Sequence, residues 1–142
     1  CIDSNGNYVQ SGGTVIAKIS TTDTSGNMSA LDVDGSVKVT GGTLIAIGGY
    51  VNTPSTSLGV ARFGSTSGGS MWGRSYSLSG SSNGSISLTS GTYTLKDSSG
   101  NVICTFKLSS SYSSMLIVSE KLTSGTSYTI SGGSVSKTWT QN

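Results

Sequence analysis

The stretch Ile2-Asp3-Ser4-Asn5-Gly6-Asn7-Tyr8-Val9-Gln10-Ser11-Gly12-Gly13-Thr14-Val15-Ile16-Ala17 lies without a gap over Leu31-Asp32-Val33-Asp34-Gly35-Ser36-Val37-Lys38-Val39-Thr40-Gly41-Gly42-Thr43-Leu44-Ile45-Ala46, at an offset of 29 residues. Each unit reads apolar, Asp, any residue, Asn or Asp, Gly, a short strand, Ser/Thr-Gly-Gly-Thr, then a second strand. A period of this size is the signature of a solenoid. Asx-Gly predicts one corner and Gly-Gly another, with strands between them that alternate inward apolar and outward polar residues. One coil cannot bury its own apolar face. Stacking coils ~4.8 Å apart pairs each backbone with the next and lines up like residues in ladders, and the constant direction of the repeat makes the stacking parallel.

The Ser/Thr-Gly-Gly-Ser/Thr element returns in Tyr128-Thr129-Ile130-Ser131-Gly132-Gly133-Ser134-Val135, which matches Val37 to Leu44. A different echo relates Leu88-Thr89-Ser90-Gly91-Thr92-Tyr93-Thr94-Leu95 to Leu122-Thr123-Ser124-Gly125-Thr126-Ser127-Tyr128-Thr129-Ile130. Between them, Thr92 to Lys96 and Val102 to Leu108 flank the turn-forming cluster Asp97-Ser98-Ser99-Gly100-Asn101, a hairpin signal. The expectation is therefore all-β: parallel β-helix coils over residues 1–84, then an antiparallel β cap over residues 85–142 that is continuous with them and covers the open end. Gly48 to Gly84 is the least regular stretch and is assigned imperfect coils and long loops.

Composition narrows the class. The chain has 142 residues, enough for one domain with a real core. It holds 21 Gly, 1 Pro and 10% charged residues, and Ser plus Thr make up roughly a third, which suits tight turns and strand ladders. Disorder is excluded by the alternation of Val, Ile, Leu and Tyr along most of the length. The net charge is +2, and the eight Lys and Arg are scattered with no two adjacent, so nucleic acid is not an expected partner. Apolar runs such as Thr43 to Ile47 are strand-sized, far below the ~20 residues of a membrane helix. The stretch shows no signal peptide, and residue 1 falls inside a repeat, which reads as a chain processed or cut from something longer.

In Val102-Ile103-Cys104-Thr105-Phe106-Lys107-Leu108, alternation puts Cys104 on one face with Val102, Phe106 and Leu108, which favours a buried structural thiol. A Cys1–Cys104 disulfide would suit an oxidising compartment, and a lipidated Cys1 is a third reading.

The Ile-Asp-Ser-Asn-Gly and Leu-Asp-Val-Asp-Gly corners, the Gly-Gly-Thr-Val/Leu-Ile-Ala strands, Asp97 to Ile103 and Leu122 to Tyr128 together resemble the bacterial carbohydrate-binding, polysaccharide-lyase-like β-helix family of cellulolytic and gut anaerobes. The resemblance covers about residues 1 to 47 and 85 to 135. It implies a secreted right-handed parallel β-helix that binds calcium and cellulose or pectin-type polymers. The chain departs from the family in having far fewer coils.

Three chemistries are weighed on the residues. Asp3 and Asn5, with Asp32 and Asp34 one coil on, would stack oxygens at one corner as calcium ligands; the same pattern also arises from a repeated Asx turn. Sugar recognition asks for exposed aromatic faces and polar side chains. Tyr8, Tyr50, Trp72, Tyr76, Tyr112 and Trp139 are the aromatic candidates. Trp72, Arg74, Tyr76 and Tyr50 are the set assigned to carbohydrate, whereas Tyr8, Tyr93 and Tyr128 fall at inward positions. Catalysis finds little. There is no His, and the acids Asp3, Asp23, Asp32, Asp34, Asp97 and Glu120 pair only at the repeat corner. Arg62 or Arg74 would have to serve as the base of a calcium-assisted lyase. The expected function is an extracellular or cell-surface, non-catalytic polysaccharide-binding module. The alternative is a structural subunit of a filament or surface layer built by head-to-tail stacking.

Overall fold

The repeat forms the same pair of strands twice. In a computed structural model that describes residues 1–19, 29–49, 54–64 and 83–142, the first copy gives β1 (Ile2–Ser4) and β2 (Tyr8–Lys18), and the second gives β3 (Leu31–Val33) and β4 (Val37–Ile47). The copies pair parallel in the register of the sequence offset, Ile2 on Leu31, Tyr8 on Val37 and Ala17 on Ala46. Gly12-Gly13 does not separate two strands. It is a bend inside one 11-residue strand, where the register shifts between Ser11 and Thr14 and the second glycine takes a left-handed φ of 72°.

Six further strands follow: β5 (Gly59–Phe63), β6 (Gly91–Asp97), β7 (Val102–Leu108), β8 (Met115–Ser119), β9 (Ser127–Gly132) and β10 (Val135–Thr140). They complete three layers. The small parallel pair β1-β3 covers one face of a central mixed sheet ordered β2-β4-β8-β5, and an antiparallel sheet ordered β10-β9-β6-β7 covers the other. Leu31, Val33, Val37, Val39, Leu44, Ala46, Leu116 and Val118 fill the first interface. Ile45, Ile47, Phe63, Ile117, Tyr93, Leu95, Phe106, Tyr128, Ile130 and Trp139 fill the second. Alternate residues of β4 and β8 thus enter opposite cores, which is why Met115-Leu-Ile-Val-Ser119 is buried without a break.

This arrangement overturns the expected right-handed parallel β-helix; the all-β class stands. Coil stacking stops after two units because the far edge of β4 is taken in the opposite sense: β8 pairs antiparallel with Thr43 to Ile47, while Lys38 keeps only a single parallel bridge to Ser55. Among the described residues no third copy of the repeat claims that edge, and a strand apolar on both faces gains more burial there than at any surface position. The central sheet consequently mixes strands from both halves of the chain, with β8 between β4 and β5.

The third Gly-Gly element also differs from its expected use. Gly132-Gly133-Ser134 turns the antiparallel hairpin β9-β10, with Gly133 at φ 55°. The hairpin β6-β7 turns at Asp97 to Asn101, where the Asp97 carboxylate accepts the N–H groups of Ser99 and Asn101 and the Asn101 side-chain amide, each at 2.9 Å. These bonds, Asn101 foremost, hold the Asp97 carboxyl below its ordinary pKa. One bulge corrects the expected alternation: Leu95 faces Cys104 but Lys96 faces Val102. Ile103 therefore packs on the core, and Val102 is 55% exposed. Cys104 is a buried free thiol and Cys1 an exposed one, and burial pushes the Cys104 thiol pKa up.

Candidate functional site

Strand periodicity decides what the antiparallel sheet shows to its outside. With Tyr93, Leu95, Cys104, Phe106, Tyr128, Ile130 and Trp139 directed to the core, the intervening residues form an outer face in register. One row runs Thr138, Thr129, Lys96, Val102; the next runs Ser136, Ser131, Thr94, Thr105; Thr140 with Ser127 and Thr92 with Lys107 extend it at either end. Neighbouring hydroxyls bond across the strands, Thr129 with Thr138 at 2.8 Å and Ser127 with Thr140 at 3.1 Å. All these residues are exposed or half-buried. The only charged side chains the four strands direct to this face are Lys96 and Lys107, both basic. Among the described residues the four strands thus present a hydroxyl-lined surface with two cations and no aromatic ring.

A second polar cluster stands where β1 pairs with β3. Asp3 is the register partner of Asp32, and the alternation that buries Leu31 and Val33 turns Asp32 away from the core. Partial burial, then the charges of Asp3 and Asp34, push the Asp32 carboxyl above its ordinary pKa. The turn beside it is held by its own hydrogen bonds: Gly6 N–H donates to Ser4 Oγ at 3.2 Å, Asp34 N–H to the Ser4 carbonyl at 2.9 Å, and Ser36 N–H to Asn7 Oδ1 at 2.9 Å. Among the described residues no group of three or more His, Cys, Asp or Glu side chains comes together to hold a metal ion. Calcium, for which Asp3, Asn5, Asp32 and Asp34 are the candidate ligands, takes six to eight oxygens, drawn also from amides, backbone carbonyls and water.

The four residues assigned to carbohydrate, Tyr50, Trp72, Arg74 and Tyr76, lie outside the described residues. Two other aromatic candidates are corrected. Trp139 is 6% exposed, edge-on to Phe63 with centroids 5.0 Å apart, and its indole N–H bonds Gln141 at 3.2 Å. Tyr112 is 7% exposed and donates to the Ile19 carbonyl at 3.0 Å. Tyr8 is half-buried and donates to Gln10 Oε1 at 2.9 Å. Arg62 is buried in β5, and burial lowers its pKa from the ordinary value.

Residue reading missed two buried or capping polar groups. Gln10 occupies the inward position that Val39 holds in the second copy, and its amide donates to the carbonyls of Gly12, Gly13 and Thr43. Glu120 Oε2 accepts the Gly42 N–H at 3.1 Å. For Gln10 the signal was present, since a Gln aligned with Val in a core position needs partners of its own. For Glu120 there was none, because its partner lies 78 residues away. Among the described residues no helix is long and apolar enough to cross a membrane. Compared with known proteins, the chain matches no family model, no curated protein and no solved structure.

Proposed function

We propose that this chain is an extracellular, non-catalytic module that binds an anionic, pectin-type polysaccharide along the outer face of the β10-β9-β6-β7 sheet. The observation that carries the reading is that face: rows of Ser and Thr hydroxyls in register, with Lys96 and Lys107 as its only charges. Hydroxyls at strand spacing offer donors and acceptors to a sugar chain, and two cations without a facing carboxylate favour a uronate polymer over a neutral one. Cellulose is the weaker match here, because a neutral polymer offers no carboxylate to Lys96 and Lys107. Tyr50, Trp72, Arg74 and Tyr76 are proposed as the complement that stacks on sugar rings and pairs with their carboxylates.

A head-to-tail filament is less well supported. It needs two complementary free ends. At one side of the central sheet the β5 backbone is already engaged, since Asn83 N–H donates to the Arg62 carbonyl at 2.7 Å and Gly64 N–H to the Gly84 carbonyl at 2.9 Å.

Native gels cast with polygalacturonate or with a soluble cellulose derivative test the proposal. Retardation by polygalacturonate that fades with added salt, and that the pair Lys96→Glu and Lys107→Glu weakens about tenfold, is expected from loss of about 1.4 kcal/mol of binding. Equal retardation by the neutral polymer, or none by either, sinks it.

A further inference from the structure

A glycine in a strand or at a corner whose φ is negative needs a reason, because it has no side chain to pack and costs more backbone entropy than alanine. In the second copy of the repeat the reasons are visible. A methyl group on Gly35 would overlap Asn7 Oδ1 and lie 2.6 Å from the Gly6 carbonyl oxygen. One on Gly41 would overlap the Ser11 carbonyl oxygen, and one on Gly42 the Gly13 carbonyl oxygen. These three positions are glycine because the first copy lies directly against them.

In the first copy the same positions are Gly6, Gly12 and Gly13, and they meet open space. Among the described residues nothing approaches Gly12 or Gly13 within 4 Å, and the nearest atom to Gly6 is Ser4 Oγ at 4.0 Å. Gly13 keeps a conformational reason in its φ of 72°. Gly6 and Gly12 have none: alone among the described glycines, they have neither a positive φ nor a close neighbour.

Two further observations mark the same side. β2 is an edge strand of the central sheet and β1 an edge of the small one, so their outer backbone groups lack a described strand partner. One side chain there is also less buried than its counterpart: Ile16 is 37% exposed, whereas Ile45, its register mate, is 0% exposed.

We propose that the β1/β2 edge is a docking surface for a partner polypeptide segment that carries another unit of the same 29-residue pattern, laid parallel and in register. The bend selects the occupant. Because β2 carries its own bend at Gly12-Gly13, an ordinary straight strand meets its backbone along only half its length. A strand with Ser/Thr-Gly-Gly-Thr at the matching place follows it throughout, as β4 does. An intact second copy of this chain cannot supply that strand. The required edge of its β4 is taken by β8 and Ser55, and the inner edge of its β2 by β4.

The test is amide hydrogen exchange of the full chain with a synthetic peptide of residues 31–49, and with the same peptide carrying alanine for both bend glycines. The native peptide is expected to slow exchange of outward-directed β2 amides at least tenfold, while the alanine peptide leaves them unchanged. A second arm places an extra Ile2–Ala30 unit directly ahead of Ile2, preserving the period. There, Gly12→Ala in the downstream unit is expected to lower the melting temperature as Gly41→Ala does, although Gly12→Ala is silent in the chain of 142 residues. The proposal is overturned if both peptides protect alike or neither does, if Gly12→Ala is silent in both contexts, or if sizing shows the chain alone pairing its β2 edges as a dimer.

Discussion

The hydroxyl of Tyr93 closes on both ends of a single residue, Thr89, accepting its N–H at 2.9 Å and donating to its carbonyl at 3.1 Å. Tyr128 does the same work in the echoing stretch: it accepts the Thr123 N–H at 2.7 Å and donates to the Lys121 carbonyl at 2.8 Å. Both rings are buried, at 0% and 2% exposure, so each hydroxyl ties an incoming loop to a strand of the antiparallel sheet. The shared Leu-Thr-Ser-Gly element is thus the lead-in to a tyrosine anchor, used once before β6 and once before β9.

Removing either hydroxyl breaks two part-buried hydrogen bonds while the ring stays in place. Tyr93→Phe and Tyr128→Phe are each expected to cost about 0.5–1.5 kcal/mol in urea unfolding. A loss of under about 0.3 kcal/mol in both would show that these loops find other partners.

Gln10→Val tests the buried amide by making the first copy resemble the second. Hydrophobicity alone predicts a gain. The geometry predicts a loss of about 1–3 kcal/mol, because the Thr43 carbonyl, which accepts from Gln10 at 3.1 Å in a buried position, would be stripped of that bond. Unchanged stability would mean that solvent reaches that carbonyl.

Asp32 makes stability depend on pH with a defined sign. Its folded-state pKa stands above the ordinary carboxylate value, through burial first and then Asp3 and Asp34. The folded chain therefore binds the proton more tightly than the unfolded one. Stability falls as pH rises from the ordinary carboxylate range through the raised pKa, and stays at the lower level above it. Asp32→Asn is expected to raise the melting temperature at pH 7 by on the order of 1 °C, with no difference below the ordinary carboxylate pKa. Millimolar calcium that only screens these carboxylates would raise it by less than the substitution does; a larger, saturable rise would reveal a calcium site.

The two thiols should separate cleanly in alkylation. Cys1 is exposed, whereas Cys104 is buried and its thiol pKa is raised by that burial, so the folded protein is expected to take up one equivalent of iodoacetamide quickly and the second only in denaturant. Rapid uptake of two equivalents under native conditions would contradict the buried position of β7.

Much of the architecture was legible in particular residues. The repeat predicts the register of β1 on β3 and of β2 on β4 everywhere but at Ser11, which pairs with Gly41, because identical corners and bends can share hydrogen bonds only when they stand side by side. The Asp97-Ser98-Ser99-Gly100-Asn101 cluster predicts the hairpin it makes, since its bonds are local. Val102 was misassigned for an equally local reason: alternation reverses at a bulge, and nothing in Val-Ile-Cys-Thr announces one. Of the candidate site, the acidic corner was visible as Asp over Asp. The hydroxyl face was not, because Thr94, Ser131 and Thr138 become neighbours only once β6, β9 and β10 are ordered.

The sequence by itself determined the all-β class, the 29-residue parallel register and the places where the backbone must bend, each a consequence of short-range conformational preference repeated at a fixed period. Only the tertiary structure decided that the β4 edge receives an antiparallel strand and that Met115 to Ser119 enters the central sheet between β4 and β5. A local pattern specifies how a strand bends and which faces are apolar. The identity of its neighbour is set by competition among all the apolar strands for the most buried edge, and that competition is settled across separations of more than fifty residues, as between Ala61 and Ile117.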